Sequence, residues 1–316
     1  MIIIKHSDIE ALGVKPMDYL TWVEGALLRQ KNSILPAKIS VSLPNDGFFN
    51  TMPCYFPDDE VMGVKVVNRY LVNNPALDAT LLLYNSATGE FRALLDATLI
   101  TTMRTGAVAA LTIQQLKVKK ELTHMSIMGL GVTARATMLC LLDSMPNEQF
   151  KVKLLKYKDQ AELFIERFKD YINVSFEVVT SYEELIVGAD VILSCISSAS
   201  QIYGKDEWFK EGVLVVPVHT RGFQNCDLFF DKVYGDLTEQ ISHFKYFDKF
   251  KYFNEFTEVV CGADKGREND NERILVYNIG IALHDIYIAN KIYKMFVDSN
   301  TTKVIDFKEK IDKFYV

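Results

Sequence analysis

Several features are scarce in this 316-residue sequence, and each scarcity closes off a class of protein. The five cysteines, Cys54, Cys140, Cys195, Cys226 and Cys261, are odd in number, scattered and nowhere spaced C-x-x-C. They read as small core residues of a reducing compartment, not as a disulfide or zinc framework. No two histidines stand at a metal-ligand spacing, so no metal is expected, and His124 and His284 read as structural or interfacial. Apolar runs such as Val191–Ile196 and Gly212–Val218 are far too short to cross a bilayer. The opening MIIIKHSDIEALG lacks the long apolar stretch and small-residue cleavage site of a secretory signal, so a cytoplasmic location and no membrane partner are expected. Net charge is −6 and no basic stripe appears, which excludes nucleic acid as a partner. Repeats and low-complexity tracts are also missing.

What remains is ordinary globular composition, 49% hydrophobic and 24% charged, in a chain long enough for two domains. Asp18–Gln30 carries apolar residues at helical spacing. Ile39–Leu43, Val64–Val67, Thr80–Tyr84 and Phe91–Leu95 are short strand-like runs bounded by turn residues. Ala97–Leu116 is helical. Strands and helices then alternate: Thr123–Met128 as strand, a helix through Leu142, strand Val152–Tyr157, helix Ala161–Tyr171, strand Ser175–Val179 and helix Tyr182–Val187. The apolar runs Val191–Ile196 and Val213–Val218 complete the series. Such alternation predicts a doubly wound parallel sheet, an α/β fold. A long helix, Val276–Phe296, is expected to return the chain to the first domain, with an aromatic and Lys-rich stretch, His243–Phe253, before it.

The first strand of the alternating series runs directly into Gly129-Leu130-Gly131-Val132-Thr133-Ala134. Gly129 permits a tight turn, Gly131 lets backbone approach a pyrophosphate, and Ala134 allows close helix packing. A dinucleotide phosphate would then rest on free amides at the helix start. The second strand ends in Lys156-Tyr157-Lys158, where an acid would bind the ribose hydroxyls of NAD. Two lysines invert that logic and suit the 2′-phosphate of NADP, which is the favoured reading; a solvated pair of surface lysines, with Asp159 beside them, is the alternative. The ends of the next runs, Cys195-Ile196-Ser197 and Val218, complete the expected cofactor set.

Three blocks outside this turn carry a resemblance. Asp96-Ala97-Thr98-Leu99-Ile100-Thr101-Thr102-Met103-Arg104-Thr105-Gly106-Ala107 is similar to a D-x-x-x-I-T-x-x-R-T-A-A stretch. Met52-Pro53 with Gly63-Val64-Lys65-Val66-Val67-Asn68 is similar to an M-P … G-x-K-x-V block. Gly266-Arg267 with Val276-Tyr277-Asn278-Ile279-Gly280-Ile281-Ala282-Leu283-His284-Asp285 follows a G-R … F-x-S-x-G-x-A-x-x-D pattern. In this order, with the glycine turn among them, they resemble the ornithine cyclodeaminase and mu-crystallin family from about Leu35 to Ile292.

The resemblance implies a Rossmann-type NAD(P)-binding domain, 116–284, inserted in a discontinuous α+β domain, 1–115 and 285–316, for substrate binding and dimerisation. It also implies a homodimer, a small amino or imino acid as ligand, and hydride transfer at that acid's α-carbon. Bottom-up, Arg104 offers a planar fork for an α-carboxylate. Lys65, the other candidate catalytic residue, is a second cation, and crowding by another cation would depress its pKa and fit it for proton transfer. Met52 and Asn68 join the expected substrate set. Lys38 falls where the family has an arginine, and it lacks the bidentate geometry. The resemblance sets Thr105 near the cofactor phosphates, and Asn278 and Gly280 near the nicotinamide.

The pattern breaks in one loop. Pro217-Val218-His219-Thr220-Arg221-Gly222 has no acid where cyclodeaminases carry an Asp, and Ala76 follows Pro75 where the family has Thr. Both departures argue against ornithine cyclisation. His219 and Arg221 suit a substrate with a distal acidic group, as in opine-like N-substituted amino acids. His219 touching cofactor and Arg221 facing solvent is the plainer alternative. The expected activity is that of an NAD(P)-dependent oxidoreductase, NADP favoured; a true cyclodeaminase and a catalytically idle, mu-crystallin-like binding protein are the alternatives.

Overall fold

The computed structural model describes residues 1–70, 72–73, 76–196, 201–219, 222–223, 228–299 and 305. It is a mixed α/β protein that divides into two compact units. The first comprises Met1–Val14, Lys31–Thr101 and Ala282–Val316, and the second Lys15–Gln30 and Thr102–Ile281.

In the first unit, strands β1 (Ile2–Ile4), β2 (Ile39–Leu43), β3 (Gly47–Phe56), β4 (Val61–Arg69), β5 (Leu77–Asn85) and β6 (Phe91–Asp96) form one sheet in the order β1-β6-β5-β4-β3-β2. Pairing is antiparallel except between β1 and β6. Helix α1 (His6–Ala11) precedes β2, and α9 (Ala282–Asp298) packs on one face of β3, β4 and β5. Burial along β4 alternates, so Val61, Gly63, Lys65 and Val67 face inward. Contact is closest at Gly63, where a Cβ would lie 2.6 Å from Ile286 Cδ1 and from the Leu82 carbonyl.

The second unit carries β7 (Leu122–Met128), β8 (Gln149–Leu155), β9 (Val174–Val179), β10 (Val191–Ser194), β11 (Leu214–Pro217), β12 (Lys232–Gly235), β13 (Phe253–Glu255) and β14 (Ile274–Tyr277). Every pairing is parallel, in the order β13-β12-β14-β11-β10-β7-β8-β9. Strands β8 and β9 extend to one side of β7, and β10, β11 and β14 to the other. That reversal of strand order opens the crevice in which such sheets take ligands, at their carboxyl ends. Helices α4 (Val132–Ser144), α5 (Gln160–Arg167), α6 (Tyr182–Ile186), α7 (Thr238–Ile241) and α8 (Phe256–Val260) belong to this unit, as does α2 (Pro16–Leu27). The division of the chain falls inside α3 (Thr98–Leu116).

Two expectations change. The long helix expected over Val276–Phe296 is a strand and a separate helix: Ile274–Tyr277 is fully buried and pairs with β11 and β12, and the helix begins at Ala282. A four-residue apolar run has no periodicity to reveal its class, and the β-branched and aromatic side chains here settle on a sheet. The strand expected to reach Tyr157 ends at Leu155, leaving Lys156-Tyr157-Lys158 in the following turn. The stretch His243–Phe253 packs Phe244, Phe247, Phe250 and Phe253 against the core of the second unit, with Phe244 edge-on to Tyr277 at 5.1 Å. Among the described residues, no helix is long and apolar enough to cross a membrane.

Candidate active site

Both units carry chemically capable side chains among the described residues. In the first, a cross-strand row runs Met52, Lys65, Leu81, Leu95, Ile4. All five are buried, and Lys65, at 1% exposure, is the single charge among four apolar neighbours. An isolated ammonium there would cost several kcal/mol, so a partner is obligatory. The close approach of α9 at Gly63 delivers it: Lys65 Nζ lies 2.6 Å from Asp285 Oδ2, itself fully buried. Thr101 Oγ1 donates to Asp285 Oδ1 at 3.5 Å. Burial, and then the Asp285 charge, push the Cys54 thiol up from its ordinary range. The neighbour of Lys65 is therefore a carboxylate, not the second cation that the sequence suggested. Lys38 is half-buried in the extended segment before β2. Asn68 lies three residues beyond Lys65, hence on the opposite face, with Nδ2 3.5 Å from Asp78 Oδ2.

In the second unit the glycine turn sits at the carboxyl end of β7. Gly129 has φ +81°, and a Cβ on it would stand 2.6 Å from the Cys195 carbonyl. That approach brings Cys195 and Ile196 beside the turn, with the Cys195 amide donating to the Met128 carbonyl at 2.8 Å. Burial pushes the Cys195 thiol up. Gly131 is the N-cap of α4, and a Cβ there would meet no protein atom within 4 Å. No side chain caps this helix and no acid lies in its first turn, so its first amides take no acceptor from a capping side chain. Leu130 is buried and Val132 is exposed. Helix α3 packs closely on α4, since a Cβ at Gly106 would meet Ala136 at 2.5 Å. Thr105, beside Gly106, is half-buried.

Lys156, Tyr157 and Lys158 are exposed beyond the end of β8. Lys158 takes φ +52°, with Nζ 5.4 Å from the centre of the Tyr157 ring. At the ends of β10 and β11, the Val218 amide donates to the Ser194 carbonyl at 2.8 Å, and Ser194 Oγ lies 2.6 Å from His219 Nε2. The His219 ring stacks over Phe223. Ser197 and Arg221 lie outside the described residues, as do Thr220 and Pro75.

Arg104 and Gly280 come together. A Cβ at Gly280, φ +87°, would lie 2.8 Å from Arg104 Nη1, so the guanidinium rests directly on the glycine backbone. Asn278 is 2% exposed, and both ends of its amide are engaged: Thr112 Oγ1 donates to Oδ1 at 3.2 Å, and Nδ2 donates to Asp236 Oδ1 at 3.3 Å. Sequence reasoning passed over Asp285, Thr101, Thr112 and Asp236 as functional residues. Asp285 was visible as the last residue of the Val276…Asp285 block. For Asp236 the signal is weaker, an acid directly after a buried strand of the parallel sheet.

Among the described residues no group of three or more His, Cys, Asp or Glu could hold a metal ion. A doubly wound parallel sheet with a glycine turn at its switch point in one unit, and a mixed sheet carrying a buried lysine in the other, define a dinucleotide-fold protein of two units. The chain matches the ornithine cyclodeaminase/mu-crystallin family over residues 2–300 and belongs to it. It is 27% identical over 271 residues to the nodulation efficiency protein NfeD of Rhizobium meliloti, covering 82% of this chain and 83% of that one. Ketimine reductase mu-crystallin of Macropus fuliginosus is 25% identical over 287 residues, 85% of this chain and 86% of the relative. Among solved structures, Thermococcus litoralis Δ1-pyrroline-2-carboxylate reductase in complex with NADH and L-proline superposes with a TM-score of 0.85 at 25% identity, over 96% of this chain and 100% of that one.

Proposed function

We propose that this chain is an NAD(P)-dependent oxidoreductase that reduces the C=N bond of a small α-imino acid, or runs the reverse oxidation of the amino acid. The observation that carries the reading is the Lys65–Asp285 pair, a costly buried charge set in an apolar row of a family whose relatives include reductases of imino acids. In the proposed division of labour the second unit holds the cofactor and the first presents the proton donor.

A nicotinamide cofactor, when bound, supplies or accepts the hydride. The open space at Gly131 and the uncapped start of α4 fit its pyrophosphate, because the glycine there has no packing reason within the protein. Thr105, Cys195, Ile196, Ser197 and Val218 are assigned to the walls of that cleft. Lys156 and Lys158, exposed at the end of β8, favour the 2′-phosphate of NADP over a bare ribose.

Arg104 grips the substrate carboxylate through its two parallel N–H groups. Lys65, kept as ammonium by Asp285, donates toward the imine nitrogen and makes its carbon electrophilic. The same proton returns to the lysine in the oxidative direction. Met52, Lys38 and Asn68 are assigned to the substrate side of the first unit, with the two sheet faces making Asn68 the least direct of them. A substrate with a distal acid suits the His219 and Arg221 loop, and the missing loop acid disfavours ornithine cyclisation.

A second copy of the chain is the proposed partner. The outer face of the six-stranded sheet exposes Ile39 (66%), Val41 (52%) and Phe49 (37%). It also holds an apolar groove of about 260 Å³ lined in part by Ile34, Pro36, Tyr55, Met62 and Tyr84. Such a patch calls for cover.

The test is turnover of cyclic and open α-imino acids with NADPH and NADH, followed by loss of the reduced cofactor's absorbance. Turnover is expected with NADPH favoured, and Arg104→Ala should lower kcat/KM roughly 100-fold, the scale of truncating one partner of a buried charged pair. An enzyme that binds neither cofactor, or an Arg104→Ala variant as active as the parent, would overturn the reading.

A further inference from the structure

Asp236 has been given no role so far, yet it is the carboxylate around which the Arg104 corner is built. It follows β12 directly and is 3% exposed. The register pairs Gly235 with Tyr277, which sets Asp236 beside Asn278 at the next position. A buried carboxylate must be satisfied by donors, and both oxygens here accept from one short turn. Oδ2 accepts the Gly280 amide at 2.6 Å, and Oδ1 accepts Asn278 Nδ2 at 3.3 Å. The other end of the Asn278 amide is held by Thr112, and the Asn278 backbone amide donates to the Pro217 carbonyl at 3.0 Å. Asp236 is itself fixed, because Gln30 Nε2 donates both to its carbonyl at 3.3 Å and to Glu255 Oε2 at 3.1 Å.

The turn so held is the one on which the Arg104 guanidinium lies. Gly280 keeps φ +87° and lacks the Cβ that would press on Nη1 and Nη2. We infer that Asp236 is a positioning residue: by clamping the Asn278–Gly280 turn it sets the backbone surface against which Arg104 is oriented toward the substrate carboxylate. This rests on the reading of Arg104 as the carboxylate fork. Asp236 acts through the turn and touches neither substrate nor cofactor. Because hydrogen-bond geometry is what matters, an asparagine substitutes for it: its oxygen still takes the Gly280 amide, and a turn of the Asn278 amide lets Asn278 Oδ1 accept from the new NH2 while Asn278 Nδ2 donates to Thr112 Oγ1. A glutamate, one methylene longer, does not.

The experiment measures KM for the imino acid, kcat per folded enzyme, NADPH affinity by fluorescence, and Tm, in Asp236→Glu, Asp236→Asn, Asp236→Ala, Gly280→Ala and Arg104→Ala. Asp236→Glu and Asp236→Ala should raise KM about tenfold, in keeping with the steep cost of small displacements of a binding group. Their kcat and NADPH affinity should stay within about threefold, and Asp236→Asn should hold KM within about threefold of the parent. Gly280→Ala should raise KM likewise, and combining it with Asp236→Ala should add little, since both act on one turn. If Asp236→Ala fails to fold, the contrast between Asp236→Glu and Asp236→Asn carries the test alone. KM unchanged in Asp236→Glu, equal loss in Glu and Asn, or a loss confined to kcat and Tm overturns the inference. Should Arg104→Ala leave KM unchanged, the reading of Arg104 falls and this inference with it. Should Arg104→Ala raise KM while the Asp236 variants do not, only the positioning role falls.

Discussion

Asp285 in the first unit and Asp190 in the second are both shut away from water, and each meets a lysine ammonium at 2.6 Å, yet the two pairs do opposite things. The difference lies in the cation. Lys65 is 1% exposed along its side chain, whereas Lys210 and Lys120, which clamp Asp190, are 33% and 45% exposed. Asp190 therefore spends desolvation on one partner only, and it collects the His124 backbone amide at 2.9 Å as well. Burial alone would push its carboxyl up, but hydrogen bonds from Lys210, Lys120 and the His124 amide outweigh that and hold it at about 2. It is a staple at the amino end of β10. The Lys65–Asp285 pair desolvates both charges, which rarely stabilises a fold. On the proposed reading, a pair kept at that cost is kept for what the lysine does.

The comparison is tested most severely at Lys65. Lys65→Met should cut turnover roughly 10²- to 10⁴-fold, the range for a lost general acid. The double variant Lys65→Met with Asp285→Leu should be as inactive, yet unfold in urea with a midpoint no lower than the parent's. Asp285→Leu alone, which strands a buried ammonium, should lose about 3–5 kcal/mol. If the double variant loses as much as the single one, the pair is a staple after all and the distinction drawn from exposure collapses.

At Asp190 the expected sign is reversed. Its folded pKa lies below the unfolded value near 3.9, so its contribution is present above that pH and is lost as the pH falls toward about 2. Asp190→Asn should cost about 2 kcal/mol at pH 7, from a shift of nearly two units. Urea unfolding from pH 7 down to pH 3 should show the gap between parent and variant narrowing below about pH 4. A gap independent of pH would mean the loss is one of packing and not of charge.

How much of this was legible beforehand differs between the two regions for a physical reason. The alternation that makes the parallel sheet is local, and β7, β9 and β11 fall close to where the spacing predicts them. Strand β14 was invisible because four apolar residues fit a helix start as well as a strand, and only pairing with β11 and β12 decides. Helix α2 gave its helicity but not its company. Its place in the second unit rests on distant contacts such as Thr257 Oγ1 to the Leu27 carbonyl at 2.9 Å. The stretch His243–Phe253 reads as aromatic and Lys-rich without saying which rings turn inward, and every third residue from Phe244 is a phenylalanine packed on the core. Lys65 and Arg104 stood out because motif blocks carry them. Their supports, Asp285 and Asp236, arrive from 220 residues along the chain in one case and after an unremarked strand in the other. An acid that braces another residue has no spacing of its own to announce it.

The smallest effects belong to the two lysines of the staple, and they sharpen the comparison further. Lys120 and Lys210 each keep much of their water, so neither bond is worth more than an exposed ion pair, about 0.2–1 kcal/mol. Lys120→Met and Lys210→Met should each lose that much, with Lys210→Met the larger, because its ammonium also donates to the Gly188 carbonyl at 3.0 Å. Raising salt from about 0.05 M to 0.5 M should shrink the Lys120 loss most, since screening acts on the more exposed charge. The two together should cost more than Asp190→Asn, because they leave a buried carboxylate with the His124 amide and its ring, Nδ1 3.5 Å from Asp190 Oδ2, as its remaining partners among the described residues, whereas asparagine carries no charge to strand. If removing both lysines costs less than removing the carboxylate, the His124 amide and ring hold the charge without them, and Lys120 and Lys210 are not the arms of the staple.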